Sequence, residues 1–126
     1  MIIILMSWYF ILSAKDVANY FLFKDLERKL FNKNVVVYND RKSYEGNIRI
    51  NKYLFLTQVL YLAVYDKKLF KDDFKTYENG PVIEEILKSY GLIVNQNNKI
   101  KINDCDKLFL DKVYMSLENA TFISQI

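Results

Sequence analysis

The acidic side chains that could act on a substrate are crowded into one stretch: Asp72, Asp73, Glu78, Glu84 and Glu85. Carboxylates grouped in this way can move protons or hold a hard cation. Lys67, Lys68, Lys71 and Lys75 are interleaved with them, so the expected reading is a solvated face of mixed charge. The chain has no histidine. That removes Ser/His and Cys/His dyads, the commonest general base and every zinc site that needs imidazole. The one cysteine, Cys105, lies between Asp104 and Asp106, whose charges disfavour a thiolate, and it has no second cysteine to pair with. Three glycines and one proline leave no phosphate-cradling loop. No catalytic, metal-binding or cofactor-binding residue is predicted, and the chain is not expected to be an enzyme.

Residues suited to binding fall in two other places. Arg41, Lys42, Tyr44 and Arg49 belong to a basic segment with an aromatic in it, and Tyr77, Asn79, Gly80 and Pro81 surround the only Gly-Pro pair. Arg and Tyr are the side chains that most often anchor protein interfaces. A basic hairpin with an aromatic can also grip nucleic acid. The net charge of +3 is too small to favour that alone.

The elements that must position these residues follow from the hydrophobic spacing. At 126 residues and 52% hydrophobic, the chain is expected to form one domain, residues 1–126, without a disulfide or metal staple. Residues 1–12 are an uncharged apolar segment, too short to span a bilayer and without a basic leader, so a buried element is expected rather than an anchor. Met6 is an alternative start. Ser13 and Asp16 have the spacing of a helix start, and Ala18, Leu22, Leu26 and Leu30 predict a helix from about Ala14 to Phe31, with Asp25 and Arg28 on its wet side.

Val35 to Tyr38 and Ile48 to Ile50 predict a hairpin within residues 32–51, its long loop closed by Gly46-Asn47. Asn51 then caps a helix from Lys52 to about Tyr65 that is apolar almost all round and belongs in the middle of a bundle. Pro81 is predicted in the first turn of a third helix ending near Tyr90, with Gly91 as its C-cap. Leu92 to Val94 and Ile100 to Ile102 suggest a second hairpin, and Asp104 or Asp106 a cap for a last helix. The predicted fold class is mainly α: a compact helical bundle with one or two short β-hairpins.

Three segments resemble the Panacea domain, the family that includes the SocA antitoxin and the phage-associated GepA proteins. They are AKDVANYFL (residues 14–22), LTQVLYLA (56–63) and LFKDDFKTYENGPVIEEI (69–86). In the last, Leu69, Phe70, Asp73, Phe74, Gly80, Pro81 and Val82 fall in register with the family motif. Departures are Tyr77 for the usual Trp, Asn79 for the usual Tyr, and Phe55 and Gln58 at two usually basic positions; the hairpin before the second segment looks like an insertion. The resemblance implies a cytoplasmic, non-catalytic protein-binding module of a mobile element or prophage. Such a module neutralises another protein stoichiometrically, as an antitoxin or as a phage anti-defence inhibitor such as an anti-CRISPR. The implied partner is a protein: a toxin, a protease-adaptor client or a host defence nuclease, with nucleic acid reached only through it and no membrane. The alternative is a winged-helix-like nucleic-acid regulator with Lys99 and Lys101 on its wing, against which Glu84 and Glu85 on the recognition helix weigh.

Overall fold

Ser13 begins the first helix in the way its spacing to Asp16 predicts. Its hydroxyl accepts from the Asp16 N–H at 3.2 Å, and the Asp16 carboxylate accepts from the Ser13 N–H at 3.0 Å. The structure, a computed structural model, describes residues 12–38, 40–78, 80–96 and 100–124. Within them lie four helices and two antiparallel hairpins, in accord with the predicted mainly α class. The order is α1 (Ala14–Lys24), β1 (Val35–Tyr38), β2 (Arg41–Tyr44), α2 (Glu45–Tyr65), β3 (Lys75–Tyr77), β4 (Gly80–Val82), α3 (Glu84–Ile93) and α4 (Asp104–Ser124). Residues 1–11, and with them Met6, lie outside the described residues; Leu12 is buried and bridges Phe70.

Helix α1 stops well before the predicted Phe31, because Asp25 offers the backbone another partner. Its buried carboxylate accepts from the N–H groups of Lys29, Leu30 and Phe31 at 2.9, 3.0 and 2.8 Å, which wraps the chain around one side chain instead of continuing the helix. Arg28 takes φ 54°, and its guanidinium donates to the carbonyls of Leu22, Asp25 and Val94 at 2.6, 2.7 and 3.0 Å. Asp25 and Arg28 therefore form a knot that ties the end of α1 to the end of α3, not a wet face. Leu26, expected in the apolar stripe, is 63% exposed.

The first hairpin is tighter than predicted. Tyr38 pairs with Arg41 and Val35 with Tyr44, so β2 occupies residues predicted as loop. Gly46, Asn47 and Ile48 to Ile50 then form the first turns of α2. Gly46 is needed there for closeness rather than for a turn: a Cβ would collide with the Asn32 backbone and the Tyr90 hydroxyl. Asn51 is no cap but a buried mid-helix amide. Helix α2 touches every other helix, as its apolar sequence predicts, yet Leu56, Val59, Leu60 and Leu62 leave one side of it exposed.

Three uncharged amides on α2 hold its neighbours by their backbones. Asn47 donates to the Leu87 carbonyl at 2.9 Å, and Asn51 accepts from the Ile83 N–H at 2.9 Å. Gln58 accepts from the Leu69 and Phe70 N–H groups at 2.9 and 3.3 Å and donates to the Phe70 carbonyl at 2.8 Å. That last clamp seats Leu69 and Phe70 in the core and fixes the connector leading to β3.

Pro81, predicted to open a helix, lies in β4 opposite Thr76; an edge strand tolerates the missing N–H. Helix α3 begins at Glu84 and runs through Gly91, the predicted cap, to Ile93. Leu92 and Ile93 are thus helical and residues 100–102 lie in no strand, so the described residues do not form the predicted second hairpin there. The second hairpin is β3–β4 instead. Asn103 caps α4, accepting from the Asp106 N–H at 2.8 Å, in place of Asp104 or Asp106. The core joins Phe21, Phe31, Ile50, Leu54, Tyr90 and Leu110, with Phe21 and Phe31 both edge-on to Tyr53.

Candidate functional site

The two hairpins face each other across a groove of about 640 Å³ floored by α2 and α3. This brings together two groups of candidates that are far apart in sequence. Arg41, Lys42 and Tyr44 stand on one wall, and Tyr77 and Pro81 on the other. Gly80, with φ 111°, completes β4 beside Pro81; Asn79 lies outside the described residues. A positive φ of this size favours glycine, which accounts for Gly80 without a partner.

Arg49 is not part of this arrangement. Half-buried, it donates to the Leu30 carbonyl at 2.6 Å and pairs with Glu45 at 3.0 Å, so it braces the start of α2. It borders a separate hollow of about 420 Å³ between α2 and Leu117 of α4.

Residues that sequence reasoning passed over complete the groove. Lys52 and Lys88 add two cations, Ile48 and Leu87 an apolar floor, Val82 an apolar residue on the β4 wall, and Tyr90 a fixed aromatic. Tyr90 donates to the Asn32 carbonyl at 2.9 Å and carries the tilted ring of Tyr44 at 6.0 Å; burial pushes its hydroxyl far above the usual phenol range. Local spacing held no signal for Lys52 or Tyr90 at the groove, because both reach it only through the tertiary fold. The Lys88–Glu84 spacing is that of a helical ion pair, which was legible.

The charge pattern is asymmetric. Glu84 accepts from the Tyr77 hydroxyl at 3.1 Å and pairs with Lys75 at 3.1 Å and Lys88 at 3.8 Å. The Lys75 hydrogen bond, then that of Tyr77, holds its carboxyl below the usual glutamate range. Desolvation, then Glu84, pushes the Tyr77 hydroxyl up. Arg41, Lys42 and Lys52 belong to no ion pair among the described residues.

The acidic cluster considered for catalysis is dispersed. Asp72 accepts from the Ala14 N–H at 2.9 Å, Asp73 pairs with Lys68 on the surface, and Glu84 is held as above. Among the described residues no three His, Cys, Asp or Glu side chains gather as a metal site, and no helix is long and apolar enough to cross a membrane. Cys105 is exposed in the first turn of α4.

No curated protein and no solved structure matches the chain. The family model described as antitoxin SocA-like, Panacea domain, matches residues 50–124. The match takes in the two later segments of resemblance, about three quarters of α2 and the β3–β4 wall; α1 and the β1–β2 wall precede it. It covers more than half of the sequence, and the chain belongs to the antitoxin SocA-like, Panacea-domain family.

Proposed function

We propose that the chain neutralises another protein by binding it in a stoichiometric complex, as an antitoxin binds a toxin, and that it makes or breaks no covalent bond. Membership of the antitoxin-like family carries this reading. The lack of histidine and the dispersed carboxylates are consistent with it. The contact surface is the two-hairpin face, where exposed cations stand beside aromatic rings. On this reading the chain works in the cytoplasm of a cell carrying a mobile element or prophage.

The test is co-expression with the reading frames on either side of its gene. A neighbouring product that arrests growth alone, is tolerated with this chain present, and co-purifies with it at fixed stoichiometry supports the proposal. Capture of a host defence nuclease would make it an anti-defence inhibitor of the same kind. Growth arrest unrelieved by the chain, with no complex recovered from the native host, would overturn it. The winged-helix alternative is weakened: the predicted wing strand at Leu92 and Ile93 is helical, and Glu84 and Glu85 open α3 with like charge to phosphate.

A further inference from the structure

Strand β2 borders the groove with all four of its residues, and among the described residues it is hydrogen-bonded as a strand to β1 alone. A strand with one unpaired edge is a template for a further extended chain. Along it stand Arg41 and Lys42, exposed; across the floor are Lys52, exposed, and Lys88. Among the described residues, Glu78 is the only acid on the lining, and it has a partner of its own. Between these cations lie Val35, which is 59% exposed, the Tyr44 ring and Ile48. The volume, about 640 Å³, falls in the range of pockets that enclose small ligands, roughly 300–1,000 Å³, and so admits a few residues of a partner rather than a whole domain.

We infer that the groove receives a short extended segment of the partner protein, carrying carboxylates and laid along the open edge of β2. This rests on the neutralisation reading and specifies its chemistry. The carboxylates meet Arg41, Lys42, Lys52 and Lys88, and alternate apolar side chains lie on Tyr44 and Ile48. A polypeptide is favoured over a polynucleotide because a strand edge offers main-chain donors and acceptors in peptide register. The β1–β2 wall precedes the family match, while β3–β4 lies inside it.

The test selects a display library of random twelve-residue peptides on the full-length chain. The enriched sequences are then made as labelled synthetic peptides and titrated by fluorescence anisotropy. The expected result is enrichment in Asp and Glu, with affinity falling about tenfold or more in Lys52→Glu and in Arg41→Glu. Both positions are exposed, and an unchanged melting temperature keeps folding out of the comparison. A (dT)12 oligonucleotide is titrated alongside. No enrichment, enrichment without acidic bias, binding indifferent to the charge reversals, or (dT)12 binding as tightly as the peptides would each overturn the inference. The partner of the neutralisation assay separates this from the reading beneath it: equal capture by wild type and Lys52→Glu sinks the groove and leaves neutralisation standing, whereas no capture by wild type sinks both.

Discussion

Replacing Gln58 by Leu removes the clamp that seats the connector, and the loss can be sized from its three bonds. Leu69 N–H, Phe70 N–H and the Phe70 carbonyl lose their partner in surroundings where Leu69 is 4% exposed and Phe70 fully buried. Each buried backbone group left unpaired costs about 1–3 kcal/mol. The Phe70 N–H bond, at 3.3 Å, is the weakest of the three, and the new apolar side chain recovers part of the loss. The net expectation is about 2–4 kcal/mol, which for a chain of this length lowers the melting temperature by roughly 8–15 °C. Gln58→Glu is the sharper probe. Ionised, it still accepts from both N–H groups but turns a charge and a lone pair toward the Phe70 carbonyl; protonated, it regains the donor. Its folded pKa must therefore rise above the unfolded value, so the folded state binds more protons in that window and stability is recovered as pH falls through it. Urea titrations followed by circular dichroism at pH 7 and pH 4.5 measure both effects. A Gln58→Leu penalty under about 0.5 kcal/mol, or a Gln58→Glu deficit that does not shrink on acidification, refutes the clamp.

Gly46→Ala drives a methyl group into the Asn32 backbone and the Tyr90 hydroxyl, and is expected to destabilise by about 1–3 kcal/mol or more in the same urea assay. At high pH the tyrosines decide. Burial, helped by Asp111 and Asp106, pushes the Tyr20 and Tyr61 hydroxyls up to about 12, while the unfolded phenols ionise near 10. The folded state thus holds more protons above pH 10 and stability falls as pH rises from there; Tyr61→Phe should flatten that limb. At low pH, burial raises the Asp111 carboxyl, but hydrogen bonds from Tyr20 and Lys24 outweigh it and leave it lowered. Its contribution is present above the unfolded value and lost as pH falls through the folded one. Asp111→Asn should make the acid limb shallower, by under about 1 kcal/mol because the pair is partly exposed.

The mainly α class, the Ser13 start and the central place of α2 were legible because each rests on local spacing. Several boundaries were not, because contacts beyond the hydrophobic spacing decided them. Gly46 and Asn47 read as a turn, yet the first admits Tyr90 and the second holds Leu87. Leu26 and Leu30 carried the helical period past Asp25, whose carboxylate had already taken the next amides. Pro81 read as a helix opener and is an edge-strand residue. Of the candidate site, Arg41, Lys42, Tyr44, Tyr77 and Pro81 do converge, while Arg49 turns to Leu30. Lys52 and Tyr90 could not be read from spacing, since their nearness to β2 depends on the tight hairpin that the long-loop reading missed.

The amides of Asn47, Asn51 and Gln58 grip main-chain atoms, which every amino acid but proline supplies alike. Side chains elsewhere on α3 and the two hairpins can then be exchanged through mutation without loosening the elements that display them. A lineage built on this frame can turn over its contact residues quickly while the fold stays put.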